Sequence, residues 1–168
     1  MNANQFLAAL STVEQDHRLV LNKMQALKDA VGYLLDPQGT DPRQVVKQLR
    51  DLNDYFATHF ASHMEEEETT LFPLLDQQEA GGPELVAHLR AEHAEILRKR
   101  QELGDCLEVA DGMEPRLPRA VLRDLLGYGW ELWELLDHHA HAETRAVHRC
   151  LAQSLLGDDA TRHAQVAQ

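Results

Sequence analysis

The chain reads as an all-α protein, an antiparallel up-down four-helix bundle made of two related hairpins. Apolar residues recur at helical spacing in four long stretches. Pro and Gly gather in the breaks between those stretches. No stretch alternates apolar and polar residues as a strand would. Amphipathic helices joined by short connections bury their stripes most simply by packing as a bundle.

The first helix spans about Gln5 to Leu35, with a stripe of Leu10, Val13, His17, Val20, Leu21, Met24, Leu27, Val31 and Leu34. His17 is its one polar member, and Asp36-Pro37-Gln38-Gly39 ends the helix. The second starts where Asp41 can cap and Pro42 can take the first helical position. Its stripe is Val45, Leu49, Leu52, Phe56, Phe60, His63, Glu67 and Leu71, and Pro73 is placed to kink or stop it. After Gly81-Gly82 the third helix opens at Pro83, with Val86, Leu89, His93, Ile96, Leu97, Leu103 and Leu107 on one face. Residues Asp111-Gly112 to Pro115 connect it to the fourth helix, read from about Pro118 to Leu156. That helix carries Leu122, Leu125, Leu132, Leu136, His139, Glu143, Val147 and Leu151, and Gly157 is a natural C-terminal stop. The domain expected is one bundle over residues 1–157 with a polar tail over 158–168.

A chain of 168 residues can bury a core without staples. Its formal net charge of -12 argues against binding a nucleic-acid backbone or an anionic membrane surface. No apolar run is long enough to span a bilayer, and Met1-Asn2-Ala3-Asn4-Gln5 lacks the layout of a signal peptide, so a cytoplasmic location is expected. Cys106 and Cys150 lie far apart on helical patterns and read as reduced structural thiols.

The polar members of the stripes are ordered. His17 precedes His63 by 46 residues, and His93 precedes His139 by the same 46; Glu67 and Glu143 each follow their histidine by 4. A shift of 76 therefore carries His17, His63 and Glu67 onto His93, His139 and Glu143. Val20 and Ile96, Leu21 and Leu97, Phe60 and Leu136, and Pro42 and Pro118 obey the same shift. For His93 to lie level with His63, part of residues 74–81 must be non-helical, because the two are otherwise offset by 7 residues, or about 10 Å.

Residues four apart on a helix share a face, so each His-x-x-x-Glu pair can aim both side chains into one cavity. Four imidazoles and two carboxylates buried without partners would be costly, and metal ions supply those partners. The natural division is two histidines per ion with Glu67 and Glu143 bridging. Nitrogen and oxygen donors without thiolate suit iron, manganese or zinc. Four protein donors per ion leave positions for a small ligand, and this favours a pair of iron ions. His59 is one turn before His63, but its shifted counterpart is Leu135, so it reads as a neighbour of the site. His88, His138, His141 and His148 read as solvated, as do Glu65, Glu66 and Glu68, with Glu66 or Glu68 able to replace Glu67 if the helix is distorted.

These residues resemble the hemerythrin-like (HHE) cation-binding family from His17 to about Leu151. The resemblance rests on Asp16-His17, His63-x-x-x-Glu67-Glu68-x-x-Leu71-Phe72-Pro73, Glu92-His93 and His139-x-x-x-Glu143. It implies an up-down bundle holding a non-haem di-iron centre, with His17, His63, His93 and His139 as terminal ligands and Glu67 and Glu143 as bridges. Oxygen-carrying hemerythrins have a further histidine where Leu89 stands here, and end in a His–Asp pair. The sequence is more similar to the branch with two His-x-x-x-Glu pairs. That branch includes bacterial proteins that repair iron centres under nitrosative stress and the iron-sensing domain of a eukaryotic ubiquitin-ligase subunit. The function expected is binding or sensing of dioxygen, nitric oxide or a related small species. Iron storage or delivery, and a peroxidase-like or nitric-oxide-consuming di-iron enzyme, are the alternatives. Neither a protein partner nor an oligomeric state can be read from the sequence.

Overall fold

The structure is a computed structural model that describes the backbone of residues 3–35, 41–77, 81–113 and 117–166, and the side chains of 18–35, 41–77, 81–113, 117–150 and 152. It is an all-α bundle of four long helical runs, with no strand among the described residues. We call them α1 (Ala3–Leu35), α2 (residues 42–76), α3 (Gly82–Asp111) and α4 (Arg119–Val166). Neighbours along the chain pack together, and α4 also packs on α1, so the bundle is closed. Along α2 and α3, Arg50 reaches the Leu107 carbonyl and Glu68 reaches His93. Along α3 and α4, Lys99 pairs with Glu131 and His93 meets His139. In each couple the residue number rises on one helix as it falls on the other.

The start of α2 is set by its local chemistry. Asp41 accepts a hydrogen bond from the Arg43 amide at 3.0 Å, and Pro42 fills the first turn, where no amide proton is needed. Two π-turns then interrupt the helix, at Phe56–Phe60 and Glu67–Leu71. A π-turn leaves carbonyls without their usual i+4 amide, and threonine hydroxyls fill in. Thr58 donates to the Asp54 carbonyl at 2.9 Å, Thr69 to that of Glu65 at 3.0 Å, and Thr70 to that of Glu66 at 2.6 Å. Pro73, which lacks an amide proton, comes just after the second π-turn, and the helix carries on past it to Asp76. Pro73 therefore does not stop α2: the widened turn before it makes room for its ring. Gly81 takes the left-handed conformation, φ 81°, that starts α3, and a Cβ on Gly82 would lie 2.2 Å from the Leu75 carbonyl oxygen.

Two details of the stripes are corrected. Leu21 and Leu97 are exposed, because Val20 and Ile96 beside them point inward and adjacent residues sit about 100° apart on a helix. The two leucines are themselves 76 apart, so the repeat holds even where the stripe does not. The last helix also continues through Gly157 to Val166, since one glycine costs a helix interior only about 1 kcal/mol. Among the described residues no helix is long and apolar enough to cross a membrane.

The apolar core is divided. The larger cluster holds Leu27, Leu49, Phe56, Phe60, Ile96, Leu103, Leu132 and Leu136 among others. The smaller holds Leu71, Phe72, Leu75, Val86, Leu89, Ala142, Ala146 and Cys150. Along α2, α3 and α4 the break between the clusters falls at the same level, and His63, Glu67, His93, His139 and Glu143 fill it.

Candidate metal centre

His63 and Glu67 come from the short α segment between the π-turns and from the start of the second π-turn. Glu92 and His93 come from the middle of α3, and His139 and Glu143 from α4. Each of the five expected donors whose side chain is described is buried. His17 lies outside the described side chains.

The donors converge. His63 Nε2 is 2.6 Å from Glu67 Oε1, and His93 Nε2 is 3.3 Å from Glu67 Oε2. The Nε2 atoms of His93 and His139 lie 3.2 Å apart. Two sets of ligand atoms lie within 4.8 Å of one another: Glu67, His93 and His139 in one, His63, Glu67 and Glu143 in the other. Glu67 belongs to both, one oxygen facing each side. Glu143 joins the His63 set, and among the described residues it is not grouped with His93 and His139.

A surrounding layer of acids aims the imidazoles. His93 Nδ1 donates to Glu68 Oε1 at 2.9 Å, and His139 Nδ1 donates to Glu92 Oε2 at 3.1 Å. An ionised carboxylate can only accept, so in a neutral ring the proton sits on Nδ1 and the Nε2 lone pair points inward. Two lone pairs 3.2 Å apart repel unless a proton or a metal ion lies between them, and at metal–nitrogen distances of about 2.0–2.1 Å one metal ion can reach both. The donor set therefore fits a transition-metal ion. The His93 ring also stacks on Phe72, with centroids 5.2 Å apart, and Arg90 pairs with the other Glu68 oxygen at 3.4 Å.

The electrostatics of the metal-free site agree with this. Burial works against charge on His93, but the hydrogen bonds and negative charges of Glu67 and Glu68 outweigh it and hold its pKa above the ordinary histidine value. Burial likewise works against charge on Glu92, yet hydrogen bonds from His139 and His138, with the charges of His139 and His88, bring its pKa below the ordinary carboxylate value. Burial pushes both Cys106 and Cys150 up, so they stand as protonated thiols.

Sequence reasoning undervalued two residues. Glu68, read as solvated, orients His93; Glu92, noted only as part of a motif, orients His139. The signal for Glu92 was its place beside a stripe histidine. No periodicity could give Glu68, because the π-turn at Glu67–Leu71 shifts the faces there. His59, placed near His63 by regular helical spacing, is exposed, lies within the first π-turn and packs its ring on Tyr55. Glu65 and Glu66 are exposed as expected, and so are His88, His138, His141 and His148.

A family model described as the Hemerythrin HHE cation binding domain matches residues 8–151, which covers all the donors above. No curated relative and no solved structure matches the chain. A closed helical bundle with converging buried imidazoles and carboxylates, matched over most of its length by that model, makes this chain a metal-binding member of the hemerythrin HHE cation-binding domain family.

Proposed function

We propose that the protein holds a pair of iron ions and uses them to bind or sense dioxygen, nitric oxide or a related small species, with a role in oxidative or nitrosative stress. The observation that carries the reading is Glu67, a buried carboxylate common to both donor sets, with an oxygen toward His63 and an oxygen toward His93. A carboxylate common to two donor sets is suited to a two-ion site. In this reading His93 and His139 hold one ion, His63 and His17 hold the other, and Glu67 and Glu143 complete the set.

The mixed nitrogen and oxygen donors suit iron, and manganese or zinc would also be accepted by them. Bound iron supplies redox-active coordination positions for a diatomic ligand. The chain supplies the rest. Glu68 and Glu92 fix the tautomer and direction of His93 and His139. Phe60, Ile96 and Leu136 on one side, and Leu71, Phe72 and Leu89 on the other, keep bulk water from the layer. An apolar surround of this kind admits small uncharged molecules and disfavours ions.

Metal analysis of protein purified without chelators or a metal-affinity tag tests the reading. About two irons per chain, with a visible absorption band that changes on adding dioxygen or nitric oxide, is the expected result. A protein that folds equally well without metal and retains none sinks it. Iron that passes to an apo-protein acceptor faster than to a solvent chelator would point to delivery instead, and sustained turnover to an enzyme.

A further inference from the structure

Beside the buried layer, three side chains meet at the surface. His88 and Glu92 stand one turn apart on α3, and His138 comes across from α4. Glu92 Oε1 lies 2.7 Å from His138 Nδ1 and 3.2 Å from His88 Nε2. The ligand atoms of all three lie within 4.8 Å of one another. The two rings are set edge to face, 6.3 Å between centroids, so their nitrogens converge on one carboxylate oxygen without the rings stacking.

We propose that His88, Glu92 and His138 form a separate, solvent-facing site for a divalent first-row transition ion such as Zn2+. Two imidazoles and one carboxylate are the donor composition of zinc sites that keep an open position for water. Imidazole donors exclude Ca2+ and Mg2+, which take oxygen ligands. The side chains of His88 and His138 are 58% and 61% exposed, so an ion can arrive and carry its remaining waters without any opening of the bundle. The acidic surface, net -12, attracts cations to it.

Glu92 is held in place from behind. Its other oxygen, Oε2, accepts from His139 Nδ1 at 3.1 Å, and the residue is almost wholly buried although the two histidines beside it are not. A carboxylate fixed on one oxygen and offered on the other is a preorganised ligand. Ordinary solvated histidines on a helix face would not converge in this way on an immobilised acid. None of the buried donors His63, Glu67, His93, His139 or Glu143 belongs to the outer ligand set; His139 serves it only by holding Glu92.

The test is equilibrium dialysis against Zn2+, comparing the parent protein, the double variant His88→Ala/His138→Ala, Glu67→Ala, and the triple variant that combines them. Both histidines are exposed and lie within helices, where alanine is well tolerated, and circular dichroism checks the fold. The parent is expected to bind about one Zn2+ more per chain than the double variant, and His88→Ala alone to weaken that ion at least about tenfold. The same difference of about one Zn2+ is expected between Glu67→Ala, which impairs the inner centre, and Glu67→Ala/His88→Ala/His138→Ala. Equal Zn2+ stoichiometry in parent and double variant overturns the proposal, and so does loss of that difference in the Glu67→Ala background.

Discussion

The Nε2 atoms of His93 and His139 lie 3.2 Å apart although 46 residues separate them in the chain. Glu67 brings an oxygen to 3.3 Å from the same His93 nitrogen and places its second oxygen 2.6 Å from His63. One carboxylate therefore belongs to two donor sets. Glu67→Ala should weaken retained metal by at least about a hundredfold, more than loss of an orienting residue does. Glu65→Ala, an exposed change on the same helix, should leave it untouched. Metal content after desalting reads both. Equal retention in Glu67→Ala and the parent would refute the shared role.

Glu68 and Glu92 touch the ligands from outside, each accepting from an Nδ1. Removing such a partner frees the ring to turn and lets its tautomer change. Glu68→Ala and Glu92→Ala should each lower metal affinity by about 10- to 100-fold while the helical content stays constant. Competition against a chelator of known affinity measures this. Full affinity in both variants would mean that the rings are held by packing alone, as the stack of His93 on Phe72 could do. The shift of 76 carries Glu92 onto Asp16, so Asp16→Ala should behave like Glu92→Ala.

The bundle and the five described polar residues of its buried layer were legible because both rest on period. Stripes of 3.6-residue repeat gave the helices, and a constant offset between His17, His63, His93 and His139 singled out four histidines among ten. The role of Glu68 was not legible, because it depends on a departure from period. Two π-turns bracket the short segment carrying His63, and each adds a residue that turns the later side chains of α2 to a new face. The copy in α4 has no such turns among the described residues, so the repeat in sequence is not a repeat of backbone geometry. The cross-chain couple of Glu92 with His138 was equally hidden. It depends on how far α3 and α4 slide past each other, which no stripe records.

Two glycines of α4 test the packing apart from the metal. Gly127 is exposed and has nothing within 4 Å of where a Cβ would go, whereas a Cβ on Gly129 would lie 2.6 Å from Val31 Cγ2 on α1. Gly127→Ala should stabilise by about 0.5–1 kcal/mol, the gain in helix propensity. At Gly129 the same gain meets overpacking of about 1–3 kcal/mol, so Gly129→Ala should be neutral to destabilising. Denaturant midpoints of the metal-free proteins check the contrast, and a stabilising Gly129→Ala would show that Val31 moves aside freely.

Removing the metal should expose the cost of the polar layer. The five described donors split the apolar core in two, and without ions they must satisfy one another in a dry setting. An ion that binds only the folded chain adds about 2.7 kcal/mol at a hundredfold excess over its Kd. Chelator-treated protein should therefore melt lower, and restoring iron should reverse the change. A melting temperature that ignores metal would mean the layer is self-sufficient.

The pH dependence turns on His93. Its pKa in the metal-free protein is raised above the ordinary 6.5: burial opposes the charge, and the hydrogen bonds and charges of Glu67 and Glu68 outweigh burial. The unfolded chain titrates near the ordinary value, so the folded state binds the proton more tightly. The stabilisation this gives is complete below pH 6.5 and is lost as pH rises through the higher folded value. Metal binding runs the other way, since the ion must displace that proton. Affinity should rise by up to about tenfold per pH unit until the folded pKa is passed, and then level off. Glu68→Ala removes one cause of the raised pKa, so its levelling point should move to lower pH. Affinity profiles of parent and Glu68→Ala that level at the same pH would show that Glu68 does not set the protonation of His93.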